Sequence, residues 1–166
     1  MNRPPIKLRQ VVDWGAAIWA GLIAGTIFLL LNVFLIPAIV GGDGWVIIHY
    51  MASLILGETV LQPPFGFDLL TLLVALVVNY VLALIFSLIL ALIIHRWGLL
   101  TGIILGALFG LAIYGINFYT MTLLFPWFFA INHWMFAVTH VVFGALAGGI
   151  YESFEVEEFV PVEPAE

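Results

Sequence analysis

The sequence predicts an all-α integral membrane protein, a four-helix bundle with both termini cytoplasmic and two short interfacial or re-entrant segments on its outer side. The chain of 166 residues is 64% hydrophobic and 8% charged, whereas about a quarter of the residues in a soluble domain are charged. It contains four apolar runs long enough to cross about 30 Å of hydrocarbon. With four Lys and Arg residues in total, it lacks the basic surface that nucleic-acid binding requires.

The first span is predicted from about Trp14 to Pro37, with Asp13 as the cap of its first turn. The uncharged stretch of residues 15–40 is longer than the hydrophobic region of a signal peptide, so we expect this span to be retained. Residues 45–56 have a helical pattern but are too short to cross the bilayer, and Asp43 is placed to cap them. We expect this segment to lie in the interface or to re-enter the membrane.

Three further spans are predicted from Leu69 to His95, from Trp97 to about Tyr119, and from a cap at Asn132 to near Tyr151. Asp68 is the expected cap of the second span. Residues 123–131, which include Pro126, form a second aromatic segment that is too short to span. The two short segments would lie on the same side of the membrane.

The basic residues indicate the orientation of the bundle. Arg3, Lys7 and Arg9 precede the first span, and Arg96 lies between the second and third spans. Because cytoplasmic loops retain Lys and Arg, both termini are predicted to be cytoplasmic. Residues 1–151 would then form one four-span domain, followed by an acidic cytoplasmic tail at 152–166. The tail is either solvated or a strand or peptide that docks on a cytoplasmic partner.

Glycines recur along three of the predicted spans at four-residue spacing: Gly98, Gly102, Gly106 and Gly110 in the third, Gly21 and Gly25 in the first, and Gly144 and Gly148 in the fourth. Small residues at this spacing are typical of close helix–helix contacts in membranes. We expect the third span to pack against the first and the fourth. Asn32 follows its glycines at the same distance as Asn117 follows Gly106 and Gly110, which suggests a weak internal repeat or a chance similarity.

Few polar side chains fall inside the spans, and each is a functional candidate because polar groups are costly in hydrocarbon. They are Asn32, Asn79, Tyr80, Asn117 and His140. His140 lies near the centre of the fourth span, at the depth of Asn79 and Tyr80, so a hydrogen bond to either is the simplest expectation. The alternative is a ligand to a haem, pigment or quinone. Asn32 and Asn117 are expected to bond to each other or to Tyr114.

A looser cluster of His49, Glu58 and His133 is expected on the outer side, where two imidazoles and a carboxylate could bind zinc. Its spacing matches no recognised motif, so wetted interfacial side chains are the alternative. No arrangement in the sequence indicates a catalytic site, and no motif predicts a bound cofactor or metal. The chain has no cysteine, which excludes thiolate metal sites and disulfides.

The segments DWGAAIWAGLIAG, ILGETVLQPP, FD, IHRWG, YGINFYTMTLLFPWF and HVVFGALAGG occur in this order between Asp13 and Tyr151. In this order of features the chain resembles a group of small four-span bacterial membrane proteins, some of which carry a sodium:proline symporter label. The resemblance implies a bacterial inner membrane and the four-span plan, and it implies no site residues.

Three functions remain open at this point. The first is a non-catalytic accessory or scaffold subunit of a larger membrane assembly or homo-oligomer, favoured by more glycine grooves than four helices need. The second is a small channel or transporter for ions or small solutes, with Asn32, Asn79, Asn117 and His140 lining a polar path. The third is a subunit that binds a lipophilic cofactor through His140. The expected partners are the lipid bilayer and other membrane subunits or copies of this chain, with no nucleic acid.

Overall fold

Four helices of the chain are long and apolar enough to cross a membrane, which confirms the predicted all-α membrane bundle. The computed structural model describes residues 8–161, so Arg3, Lys7 and the end of the acidic tail lie outside it. The four long helices are α1 (Trp14–Val40), α3 (Leu69–Ile94), α4 (Leu99–Leu123) and α5 (Trp134–Phe154). A shorter helix, α2 (Gly44–Leu56), follows α1. Short 3-10 turns at Glu58–Leu61 and Pro126–Ile131 complete the two connections on the α2 side.

Aspartate caps begin three of the five helices, as predicted. The carboxylates of Asp13, Asp43 and Asp68 accept hydrogen bonds from backbone N–H groups in the first turns of α1, α2 and α3, at 2.9, 2.9 and 2.7 Å. Each bond satisfies one of the N–H groups that a helix start leaves without an internal partner. The three helices therefore begin where short-range chemistry places them.

The cap of α5 differs from the prediction. His133, and not Asn132, is the N-cap, and its Nδ1 accepts from the backbone N–H of Met135 at 3.2 Å. The side chain of Asn132 instead accepts a hydrogen bond from the Tyr114 hydroxyl at 2.9 Å. Because this contact with α4 engages the amide, the neighbouring imidazole provides the cap.

The long helices pack in the order α4, α5, α1, α3, and the most extensive contact joins α4 to α5. The expected contact between the third span and the first is wrong, since α1 packs against α3 and α5. The two helices at the ends of the series, α3 and α4, touch little. One of their contacts is an edge-to-face pair of Phe86 and Phe109, whose ring centroids lie 6.3 Å apart. The short helix α2 packs against α3.

Glycine allows the backbones of α4 and α5 to touch. A Cβ added at Gly106 or Gly110 would overlap the carbonyl group of Gly144 or His140, and one added at Gly148 would overlap Gly102. The pair α1 and α3 is looser: a Cβ at Gly21 would lie 3.0 Å from that of Ser87, and one at Gly25 would lie 2.6 Å from that of Ala83. Gly98 is not part of the groove. It caps α4 with a φ of 78° and has open space around it.

The backbone conformation of the first half of the bundle (α1–α3) recurs in the second half (α4 and α5). Both α1 and α4 open with 17 α-helical residues, Trp14–Leu30 and Leu99–Gly115. Each continues directly into a five-residue π-helical segment, Leu31–Leu35 or Ile116–Thr120. Asn32 and Asn117 are both the second residue of these segments. This match of conformation as well as of spacing favours the internal repeat over chance similarity.

The pairing of each half follows the same plan. Gly25 faces Ala83 and Asn79 on α3, whereas Gly110 faces Gly144 and His140 on α5. Asn79 and Ala83 have the same four-residue spacing as His140 and Gly144. Asn79 of the first half therefore occupies the place that His140 occupies in the second.

The two ends of the described chain are tied together. Strand β1 (Leu8–Val11) pairs antiparallel with β2 (Glu158–Pro161), so this part of the predicted tail forms a strand with the chain's own N-terminal segment. Asp13 links the same elements, because its carboxylate accepts from the N–H of Ala16 in α1 and from that of Val156 at 3.1 Å. We call this end of the bundle the strand end.

Replacing Gly106 by alanine tests the backbone contact between α4 and α5. The added methyl group overlaps the Gly144 carbonyl, so the helices must separate, and we expect a loss of about 1–3 kcal/mol in the free energy of unfolding. Gly115→Ala is the matched control, since a Cβ there meets nothing within 4 Å. Equal stability of the two variants in detergent unfolding would contradict this packing.

Asp13 makes the stability of the strand end depend on pH. Hydrogen bonds from the backbone N–H groups of Ala16 and Val156 lower the pKa of its carboxyl below the usual 3.8. The stabilisation is therefore complete above that value and disappears as the pH falls through the lowered pKa. At neutral pH we expect Asp13→Ala to lose about 1 kcal/mol.

Thermal unfolding of the wild type and of Asp13→Ala from pH 7 to pH 2 measures this effect. We expect the difference in unfolding temperature to narrow below the usual carboxyl pKa. Asp13→Asn is the control, because it keeps a capping oxygen that does not titrate. A difference that stays constant over the whole range would show that the ionised carboxylate contributes nothing.

Candidate functional site

A cavity of about 410 Å³ lies between α3 and α4, in the gap that their limited contact leaves. Its wall is mostly apolar and includes side chains from all five helices. Phe28 of α1, Phe86 of α3 and Phe143 of α5 are among the aromatic residues that line it. The cavity follows from the packing order, because the backbone contacts of the pairs α1–α3 and α4–α5 leave α3 and α4 apart.

Four of the five polar residues singled out inside the spans meet at this cavity. Asn32, Asn79, Asn117 and His140 all belong to its lining. Tyr80 does not, and its hydroxyl lies 2.9 Å from the hydroxyl of Thr26 on α1. Residues that are far apart in the sequence thus form the polar part of the lining.

His140 is 5% exposed, and each of its ring nitrogens has a partner. Nδ1 lies 2.6 Å from the Phe136 carbonyl oxygen, which can only accept, so Nδ1 carries the proton. Nε2 then accepts from the side-chain amide of Asn117 at 3.1 Å. The structure therefore holds a neutral imidazole, and neither nitrogen has a lone pair left for a metal.

The partner of His140 differs from both expected partners, Asn79 and Tyr80. The reason is the glycine contact, which sets α5 directly against α4 and brings His140 to the π-helical segment that carries Asn117. Asn79 instead donates to the carbonyl oxygen of Gly25 at 3.1 Å. An interhelical bond of His140 was predictable, but its partner depended on which helices pack together.

Asn32 is also bonded differently from the expectation. Its amide nitrogen donates to the Phe28 carbonyl oxygen at 2.7 Å, and its oxygen accepts from the Thr139 hydroxyl at 3.2 Å. It bonds neither to Asn117 nor to Tyr114, which donates to Asn132. Asn32 thus joins α1 to α5 and has both polar atoms of its amide engaged.

Two acceptor oxygens at the cavity remain available. The side chains of Asn79 and Asn117 use their nitrogens as donors, and within residues 8–161 no hydrogen bond to either Oδ1 is found. In the same range, the one fully buried side-chain polar atom that lacks a hydrogen-bond partner is Glu152 Oε1, so neither amide oxygen belongs to that class. The two amide oxygens are therefore not fully buried, and both residues line the cavity.

The two short segments, α2 and the turn Pro126–Ile131, close one end of the cavity, which the sequence did not indicate. Tyr50 of α2 and Phe128 of the turn Pro126–Ile131 both line it, with ring centroids 5.7 Å apart. Phe125 stacks beside Phe128, with a centroid separation of 6.5 Å. The sequence features that bear on this contact are that both segments are aromatic and too short to span the membrane. These features place them at the same side of the membrane without showing that they meet.

The expected outer cluster of His49, Glu58 and His133 is not assembled. Both ring nitrogens of His49 face backbone oxygens, those of Val60 at 2.8 Å and Gly66 at 3.1 Å. His133 caps α5, and Glu58 is exposed. In the part of the chain that the structure describes, no three side chains of metal-binding type form a group. Because His49 and His133 form hydrogen bonds with backbone groups, the ligand cluster expected for zinc does not form.

A double-mutant cycle with His140→Phe and Asn117→Leu measures the bond between α4 and α5. We expect a coupling energy of about 0.6–1.7 kcal/mol in the free energy of unfolding, the range found for interhelical hydrogen bonds in membranes. The control cycle pairs His140→Phe with Tyr80→Phe, whose hydroxyl contacts Thr26, and we expect no coupling there. Similar coupling in both cycles would contradict the observed partner.

Comparison of the chain with protein-family models, with curated proteins and with solved structures finds no match. The resemblance to small four-span bacterial membrane proteins therefore stays an expectation, and the function has to be argued from the cavity.

Proposed function

We propose that this multi-pass membrane protein is a non-catalytic binder of a lipophilic molecule, which it holds in the cavity between α3 and α4. The observation that carries the proposal is an apolar cavity of about 410 Å³ with a few convergent polar groups. Sites for small molecules typically have volumes of 300–1,000 Å³ and this kind of lining. A bacterial inner membrane, which the resemblance implies, is part of the proposal.

The two available oxygens indicate the chemistry of the ligand's polar end. Asn79 and Asn117 offer carbonyl oxygens, which accept hydrogen bonds. A polar group buried without a partner is costly, so the ligand must supply a donor such as a hydroxyl or an N–H. Long-chain alcohols, hydroquinones and acyl amides have this combination of an apolar body and a donor at one end.

The bonding of His140 distinguishes among the cofactor classes. Haem or pigment binding through His140 requires a free ring nitrogen, and both nitrogens are engaged with Phe136 and Asn117. A quinol or lipid requires no such ligand. The arrangement therefore favours a ligand held by its shape and by hydrogen bonds over one held by a metal.

The glycine grooves no longer argue for a scaffold subunit. The groove glycines of α1, α4 and α5 face other helices of the same chain at contact distance. The surplus of grooves that favoured a partner is thereby accounted for within the bundle. This observation supports the binding proposal over the accessory one.

The composition of the wall argues against conduction. The lining contains no carboxylate, Lys or Arg, and three of its polar residues, Asn32, Asn117 and His140, bond to other side chains. Ion pathways are usually lined by rings of carbonyl groups or of charged side chains. A mostly apolar cavity of this kind is better suited to holding a molecule than to passing ions.

Filling the cavity tests the proposal. Leu82 lines the cavity from α3, whereas Val77 on the same helix is 55% exposed. The tagged chain is purified gently from its own membranes, and its organic extract is quantified by mass spectrometry. We expect an equimolar lipophilic compound with a hydroxyl or N–H group in the wild type and in Val77→Trp. In Leu82→Trp we expect about tenfold less, which corresponds to 1.4 kcal/mol.

Two outcomes would contradict the proposal. One is the absence of any enriched compound relative to bulk lipid in the wild type. The other is equal retention in Leu82→Trp and Val77→Trp, which would place the compound on the outer surface. Asn79→Leu tests the polar end separately, since it removes one acceptor and should weaken retention without filling the chamber.

A further inference from the structure

A second recess lies at the strand end, away from the cavity. Its volume is about 320 Å³, and its lining includes Arg9, Trp14, His95 and Arg96. The chain has four Lys and Arg residues in total, and both of those that the structure describes line this recess. The described cationic side chains are thus concentrated at one place on the bundle.

The fold holds both arginines at fixed backbone positions. Arg9 lies in β1, where it is paired with Val160 of β2. Arg96 lies in the tight turn between α3 and α4, which a backbone hydrogen bond from Trp97 to Ile94 closes at 2.9 Å. Segments from the beginning and the middle of the chain therefore form one cationic site.

Arg96 keeps the donors that recognise phosphate. Its Nε donates to His95 Nε2 at 3.0 Å. Nδ1 of His95 faces the carbonyl oxygens of Ala91 and Leu92, both at 3.2 Å, so Nδ1 carries the proton and Nε2 accepts. This bond orients the guanidinium group through one nitrogen and leaves the two terminal nitrogens. A guanidinium held in this way donates two parallel bonds to a phosphate.

Two carboxylates near the recess bond to groups other than the arginines. Asp13 accepts from the backbone of Ala16 and Val156. Glu155 accepts from the Tyr151 hydroxyl at 2.9 Å and from the Gln10 amide at 3.2 Å. These two acids keep their negative charge, but their hydrogen bonds leave the guanidinium donors of the arginines for a ligand.

The recess lies beside the ends of membrane-spanning helices. Trp14 and Trp97, which are 51% and 63% exposed, flank it at the start of α1 and just before α4. Exposed tryptophans next to span ends are typical of the membrane–water interface. A cationic recess at that height is adjacent to lipid phosphates.

We propose that this recess binds the phosphate headgroup of an anionic phospholipid. Arg9 and Arg96 bind the phosphate oxygens, and Trp14 contacts the glycerol region. Basic pockets between membrane helices bind lipid headgroups by this chemistry. The site is independent of the cavity between α3 and α4, so either can exist without the other.

Native mass spectrometry of the full chain in detergent tests the proposal, with phosphatidylglycerol and phosphatidylcholine as probes. We expect preferential binding of phosphatidylglycerol and about fivefold weaker binding for each of Arg9→Gln and Arg96→Gln. Arg96→Gln combined with Glu58→Gln is the control, since the second change restores the net charge at an exposed residue on the α2 side of the bundle. Arg96→Lys keeps the positive charge but lacks the two parallel N–H donors of the guanidinium group. We therefore expect it to bind phosphatidylglycerol less tightly than the wild type.

Each remaining outcome is decisive. Recovery of wild-type binding in the double variant would indicate attraction by net charge and overturn the site. Equal affinity for phosphatidylcholine would remove the role of anionic lipid. If glycerol phosphate without acyl chains bound as tightly as phosphatidylglycerol, the ligand would be a soluble phosphate. Thermal unfolding of every variant verifies that the exposed substitutions leave the bundle intact.

Discussion

The contact of backbone with backbone between α4 and α5 is the constraint on which the rest of the structure depends. In hydrocarbon no hydrophobic force joins apolar helices, so close packing must supply the attraction. Gly106 and Gly144 allow that packing because any side chain at these positions would overlap the opposite carbonyl. A looser contact, in which Gly25 faces the side chain of Ala83, joins α1 to α3. These two helix pairs leave a gap between α3 and α4, and the cavity lies in that gap.

The buried polar groups follow a second constraint, that nothing in the bilayer replaces water as a partner. Asn32 and His140 meet it within the protein, through Thr139, Phe136 and Asn117. Within residues 8–161, the oxygens of Asn79 and Asn117 have no such partner. This is why the proposed ligand is expected to carry a hydrogen-bond donor.

Much of the fold was predictable because its signals are local. The caps at Asp13, Asp43 and Asp68 act within three residues, and the spans follow from long apolar runs. The partner of His140 was not predictable, because it depends on how helices rotate against one another. The cap at His133 was missed for a related reason, since a hydroxyl from another helix engages Asn132. The members of the candidate site could be named in advance, but their arrangement could not.

The repeat has a consequence for anything held between its halves. Two identical halves would present a twofold symmetric chamber, in which an elongated molecule could lie in either of two equivalent directions. Asn79 keeps an open oxygen, whereas His140 at the matching position has both ring nitrogens engaged. Asn117 keeps an open oxygen, whereas that of Asn32 accepts from Thr139. The connections differ as well, a 13-residue helix in the first half and a six-residue turn in the second. The two ends of the proposed ligand would therefore meet different surroundings, which favours a single orientation.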